Sequence, residues 1–439
     1  MTVPLAEMPN PSGARPLHPL RFANFVFYFF ARFALTLAVT ALVLIIGWQV
    51  YNIARETMSV EQSAFLLGLI GLVQFVPLFL LTPITGWIAD RFDRRLIARI
   101  VLAVQSLIGI SLCGLTWAEQ MSLPILFVAA SMIGICRAFS GPAMSALSPN
   151  LVPKEVLPTA IAMSSIAWQT GSIAGPGLGG VLLAISPIFA YAMCTALFLF
   201  GLVGFLLIGK VAQPVMARNL HPIRQMVNGL VYVRQNRLVL ATITLDLFAV
   251  LLAGATALMP VFARDILHVG PTGLGIMAGA PGVGAVAMAA VFSWRPLRRD
   301  VGNRMLLAVI IFGTATIVFG LSRWFPLSVA ALVVIGAADM VSVYVRQSLI
   351  QLHTPDDMRG RVSSVSQMTI SASNELGEAE SGFLAALIGP VGAVIVGGAG
   401  AIFITLAWAR FFPELRLAKT FDPPETDEHP TGPAKEQTI

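Results

Sequence analysis

The sequence predicts an all-α integral membrane protein, with twelve transmembrane helices arranged as two pseudo-symmetric six-helix bundles. Three observations carry that prediction. The chain is 56% hydrophobic and only 11% charged over 439 residues, whereas an ordinary soluble domain is about 25% charged. A single core with a wet surface cannot absorb that much apolar side chain, so lipid must be the main solvent. The apolar residues gather into twelve runs, each able to cross a hydrocarbon core that needs about 20 helical residues. The basic residues between the runs alternate from side to side, the bias expected of a polytopic protein.

Residues 1–20 are Pro-rich and precede a very long apolar run, which is unlike a cleaved signal peptide; they are expected to form a cytoplasmic tail. The first bundle, 21–209, holds expected spans at 22–46, 62–88, 96–118, 121–142, 158–185 and 187–209. After the second span comes Gly86-Trp-Ile-Ala-Asp-Arg-Phe-Asp-Arg-Arg95, a charged turn between two membrane-length runs. Ser186-Pro187 forms a tight turn between the fifth and sixth spans. The longest polar connection, 210–237, divides the spans six and six. Within it, His221–Arg234 has helical spacing of apolar residues and a basic remainder. An amphipathic helix on the inner membrane face and a plain linker with a short helix both fit.

The second bundle, 238–412, holds spans at 238–260, 271–294, 303–322, 326–350, 362–386 and 389–411, the last two joined at Gly389-Pro390. The tail, 413–439, is polar and Pro-rich from Asp422 and is expected to be cytoplasmic and disordered. One set of connections holds Arg91, Arg94, Arg95, Arg99, Lys154, Lys210, Arg234, Arg295, Arg298, Arg299 and Arg359, while the opposite set holds only Arg55, Arg264 and Arg323. This bias puts both termini in the cytoplasm. The net charge of +6 is therefore a topological signal, and no nucleic-acid partner is expected.

Soluble-enzyme signatures are absent from the sequence. No Walker lysine pattern, His-Glu-x-x-His or zinc-spaced His/Cys cluster occurs, so no enzyme activity, metal or cofactor is expected. Cys113, Cys136 and Cys194 sit in apolar runs and read as small buried hydrophobes.

Ionisable residues inside spans carry the functional signal, because burying a charge in lipid is costly. Arg32 lies in the first span and Arg137 in the fourth. Asp246 lies in the seventh, while Asp339 and Arg346 share a similar face of the tenth and are expected to pair. In the eleventh, Ser373-Asn-Glu-Leu-Gly-Glu-Ala-Glu-Ser381 places Glu375 and Glu378 nearly one turn apart, with Glu380 pointing elsewhere. Low dielectric and a like-charged neighbour favour a carboxyl that carries a proton part of the time. The acidic pair is thus a candidate for proton coupling, together with Asp246, Asp339 and Arg137; fixed ion pairing between helices is the alternative. Gln49, Gln74 and Gln169, with Arg32, are candidates for a cavity wall. Gly171-x-x-x-Gly175-Pro176-x-x-Gly179-Gly180 gives the fifth helix a stripe almost free of side chains, which suits static packing and rocking helices alike.

These residues resemble the major facilitator superfamily over about 20–412. Gly86 to Arg95 is similar to its loop between the second and third helices, with Asp93 where glycine is usual. The resemblance implies a latch in which Asp90 meets the start of the eleventh helix, held by Arg91, Arg94 and Arg95; Arg346, from its own place in the tenth span beside Asp339, is expected as a structural or gating residue. Arg137-x-x-x-Gly141 is similar to the fourth-helix arginine pattern linked there to proton transfer, and Gly171 to Gly180 matches the antiporter pattern at each specified place. Thr354–Arg361 and Gly141–Pro149 resemble bacterial exporters of the enterobactin-exporter and macrolide-efflux type. The resemblance implies a monomeric, proton-coupled exporter in the bacterial inner membrane, surrounded by lipid and moving a small amphipathic or aromatic compound by alternating access. Uptake by symport and a non-transporting receptor or scaffold are the other readings.

Overall fold

The computed structural model describes residues 18–211 and 222–421, and within them every regular element is helical. Six long helices form the first bundle: α1 (Ala23–Ala54), α2 (Val60–Arg91), α3 (Arg94–Trp117), α4 (Leu123–Leu147), α5 (Leu157–Ile185) and α6 (Pro187–Leu207). Local chemistry sets several of their starts. Ser59 and Gln62 form a reciprocal capping box at α2, and Asp93 accepts from Arg95 N at α3. Ser186 caps α6 just before Pro187, where the missing N–H costs nothing.

The expected linker contains α7 (Pro222–Gln235); residues 212–221 lie outside the described residues. Met226, Tyr232 and Val233 pack with α8 and α13, whereas Val227, Leu230 and Val231 are exposed. Tyr232 also donates to His353 O at 2.7 Å.

The second bundle begins with α8 (Arg237–Leu252), capped by Asn236. An uninterrupted span over 238–260 was expected, but the helix stops at Leu252. It resumes as a 3-10 turn (Ala255–Leu258), α9 (Met259–Val261) and one π turn (Phe262–Ile266). Gly254 lies against the carbonyl of Gly377, too close to admit a Cβ. The irregular backbone at Ala253 and Gly254 lines an internal cavity, the setting in which unpaired backbone groups are tolerated at membrane depth.

The remaining helices are α10 (Gly270–Trp294), α11 (Val301–Leu321), α12 (Phe325–Leu352) and α13 (Asp356–Phe411). The last is two helices in one. Gly389 has φ 77° and ψ 159°, and both Gly377 and Gly397 reach the Leu251–Leu252 end of α8, so the two arms fold back side by side. With α13 divided there, the membrane-length helices are consistent with twelve spans. A short α14 (Pro413–Leu417) follows. Residues 413–421 therefore depart from the expected tail: Leu415 is fully buried, and Arg237 pairs with Glu414 at 3.0 Å. Residues from Asp422 lie outside the described residues.

The main buried apolar cluster centres on the first bundle and runs on into the second through Phe262, Leu274 and Phe319, and a smaller one lies within the second. Tyr28, Leu42, Tyr51, Tyr191 and Phe198 fill the first; Met305, Val345 and Leu349 belong to the second. Outer faces expose Leu107, Leu206, Phe403 and Leu406, while Trp117, Trp294 and Trp324 stand exposed at helix ends, the position of an interfacial belt. Because lipid tails are as apolar as leucine, close backbone approach has to hold the helices together. Gly171, Gly175 and Gly179 face α1, where Thr40 donates to Gly171 O at 3.2 Å. Gly180 turns to the other bundle and meets the backbone of Gly275 on α10. Gly68 of α2 meets Gly382 of α13 in the same way. The predicted stripe thus has two faces, one within a bundle and one between bundles.

Gly389 occupies a φ/ψ region open almost only to glycine. Gly389→Ala is expected to cost about 1–3 kcal/mol, seen as a lower melting temperature in detergent, whereas Gly86→Ala, with open space around it, should have little effect.

Candidate functional site: a charged cavity between two helix bundles

A cavity of about 1370 Å³ lies between the bundles. It runs from Gly47 on α1 towards the Arg-rich end, where Arg32, Ser145, Arg346 and Gln367 line it. Its apolar lining includes Leu35, Leu67, Met144, Leu274 and Phe312. Of the polar candidates, Arg32, Gln74, Arg137, Gln169, Asp246, Asp339, Arg346, Glu375 and Glu378 all line it. Pro176 of the α5 stripe also reaches the wall. Gln49 does not: it is buried within the first bundle and accepts from the Tyr191 hydroxyl at 2.7 Å. It points away from the cavity stripe of α1, towards α6.

Two ion pairs organise the walls. Arg137 of α4 meets Glu375 of α13 at 2.7 Å, joining the two bundles, and Gln74 Oε1 stands 3.5 Å from the same guanidinium nitrogen. The Glu375 side chain is 8% exposed and that of Arg137 36%, so the carboxylate is the more desolvated partner. Glu378 lies nearly one turn on, packed against Gly71 of α2. The second pair joins Arg346 of α12 to Asp246 of α8, both almost wholly buried. This corrects the expected pairing of Arg346 with Asp339. Seven residues along one helix separate those groups by about 10 Å, and an aspartate on the neighbouring helix is nearer. Asp339 instead shares a small recess with Asp246 and Ser342.

At the Arg-rich end, helix carbonyls are held by arginines. Arg94 donates to Ala146 O at 2.8 Å, Arg95 to Asp93 and Gly209 O, and Arg99 to Phe205 O at 3.0 Å. Cations at helix C-termini complement the backbone dipoles. The Arg95 hydrogen bond holds the Asp93 carboxyl below the usual carboxylate range. Arg91 is exposed on the last turn of α2, and the side chain of Asp90, the expected latch, lies outside the described residues.

The opposite end is clasped by residues not singled out from the sequence for this role. Tyr51 donates to Asp265 at 2.5 Å, Arg55 pairs with Asp265 at 3.4 Å, and Arg264 donates to Asn52. The partners lie more than 200 positions apart, on α1 and on the π turn after α9. From the sequence, Arg55 and Arg264 stood out only as two of the few basic residues in these connections. The Gly180–Gly275 and Gly68–Gly382 contacts belong to the same half of the molecule, near the end of α5, the end of the first arm of α13 and the starts of α10 and α2. The cavity is therefore closed on this side.

Two outcomes follow from these contacts. Asp265→Asn weakens the clasp, so a cysteine placed at Gly47 should react faster with a membrane-impermeant maleimide added from that side. Arg137→Gln strands a desolvated Glu375 and should lower the melting temperature, while the Arg137→Gln/Glu375→Gln double variant should recover most of the loss.

The comparisons with known proteins agree with this architecture. The family model described as "transmembrane secretion effector" matches residues 16–433. Enterobactin exporter EntS of Citrobacter koseri is 27% identical over 409 residues, covering 92% of this chain and 94% of the relative. That of Escherichia coli O1:K1 is 26% identical over 405 residues, covering 91% and 94%. A bacterial homologue of the human lysosomal transporter Spinster, solved in an inward-facing and occupied conformation, aligns with a TM-score of 0.70 at 13% identity over 91% of this chain and 99% of that one. A D-xylose–proton symporter aligns with a TM-score of 0.70 at 12% identity over 90% and 98%. This multi-pass membrane protein, a transporter and not an enzyme, belongs to the transmembrane secretion effector family of the major facilitator superfamily.

Proposed function

We propose that the protein is a proton-coupled exporter of a small amphipathic or aromatic compound, such as a siderophore or drug, working by alternating access. The observation that carries this reading is the Arg137–Glu375 pair, which links the bundles at the cavity wall with Glu378 beside it. A proton arriving on this acidic pair cancels a carboxylate charge and weakens its hold on Arg137, so protonation alters the attraction between the bundles. A carboxyl whose proton occupancy differs between two conformations is sufficient to couple proton flow to movement.

The cavity volume exceeds the roughly 300–1,000 Å³ of a common small-molecule site, leaving room for a bulky cargo. The positive-inside bias supports an Arg-rich end in the cytoplasm, so the cavity would load from the cytoplasm or the inner leaflet. The antiporter glycine pattern on α5 and the exporter names of the relatives support outward transport. The symporter among the fold neighbours speaks for shared architecture only.

Transport in reconstituted vesicles under an imposed pH gradient tests the proposal. Glu375→Gln/Glu378→Gln should abolish gradient-driven flux while leaving counterflow exchange measurable. Unchanged driven flux in that variant would sink the proton site. Cargo accumulating on the Arg-rich side along with proton entry would identify an uptake symporter, and binding without flux a receptor.

A further inference from the structure

The charges on the cavity wall are divided unevenly between the bundles. All four lining carboxyls, Asp246, Asp339, Glu375 and Glu378, belong to the second bundle, and the first contributes none. Of the three lining arginines, Arg137 and Arg346 are taken up by Glu375 and Asp246. Arg32 is different. Among the described residues no carboxylate lies within ion-pair distance of it.

Arg32 is nevertheless held in a built site. Its Nη1 donates to Tyr28 Oη at 2.6 Å; Tyr28 Oη in turn donates to Met144 O at 3.0 Å and stands 3.1 Å from Ser164 Oγ. Tyr28 is fully buried and Ser164 is 4% exposed, so the chain behind the guanidinium is rigid and dry. Arg32 Nε is buried without a hydrogen-bond partner. Thr36 lies one turn on along α1, and Ser165 and Gln169 face the same cavity from α5. A guanidinium cannot lose its proton near neutral pH, and its fork of donors matches an anionic oxygen group. Leaving such a cation in a partly dry cavity is costly unless a counter-charge arrives.

We infer that the cargo carries a negatively charged oxygen group, such as a carboxylate, catecholate or sulfonate, and that Arg32 is the residue that receives it. Apolar lining from Leu35, Met144 and the neighbouring Trp168 then covers the rest of an amphipathic molecule. The inference deepens the proposed export function and names a substrate class for its cavity. It assigns capture to the first bundle and leaves coupling with the acidic wall of the second.

The test uses the purified full-length protein in nanodiscs, with empty nanodiscs subtracted. Three fluorescent probes share one aromatic frame: dansylglycine (anionic), dansylglycinamide (neutral) and dansylcadaverine (cationic). The expected order of affinity is anion above neutral above cation, with Arg32→Gln weakening dansylglycine by about tenfold or more. Arg32→Lys should recover part of that loss, and both variants should bind the neutral probe as the parent does. Matching melting temperatures exclude misfolding. No anion binding by the parent, equal binding of the three probes, or undiminished dansylglycine binding in Arg32→Gln overturns the inference. Arg32-dependent binding without gradient-driven flux would instead overturn the export reading and leave this one standing.

Discussion

A charge in a hydrocarbon core has to be paired, hydrated or discharged, and the interior of this protein is arranged around that requirement. The Arg137–Glu375 contact is its central expression. It sits at the boundary between two bundles that also meet through apolar packing, glycine backbone contacts and a polar clasp, so the charge state of one carboxyl bears on how two large bodies meet. The Arg346–Asp246 pair meets the same requirement differently. It lies within one bundle and is fully buried, so it braces α8 against α12.

Much of the fold was readable in the sequence because the bilayer simplifies the problem. Hydropathy and the Arg-rich turns located most helix ends to within a few residues, and Gly389-Pro390 marked the reversal that the positive φ of Gly389 makes. What hydropathy cannot register is irregular backbone inside an apolar run. Leu251 to Pro260 reads as continuous span, yet the chain unwinds at Ala253 because Gly254 is pressed onto Gly377, a contact between residues 123 positions apart. At α1 the span was underestimated for a different reason: the polar-aromatic sequence from Gly47 to Asn52 looks like an interface anchor and is one further stretch of regular helix.

The candidate site was readable as a set of residues and not as a set of partners. A charged side chain in a span announces itself, so all seven ionisable wall residues, Arg32, Arg137, Asp246, Asp339, Arg346, Glu375 and Glu378, were visible without any geometry. Which carboxylate meets which arginine depends on rotation of one helix against another, and sequence periodicity leaves that free. Arg346 has an aspartate on its own face, yet its partner comes from α8. Gln49 shows the converse: its depth suggested the wall, and a rotation of α1 turns it to Tyr191.

The Gly180–Gly275 contact has a mechanical consequence. At this point the two helices meet backbone to backbone with no side chain between them, a geometry that would suit a fulcrum for tilting. It sits near one end of α5 and α10, so most of each helix is lever arm. Over a core about 30 Å thick, a tilt of about ten degrees at the fulcrum displaces the far end by about 5 Å. A side chain at either glycine would wedge the joint, shortening the stroke at the wide end far more than it disturbs the pivot itself.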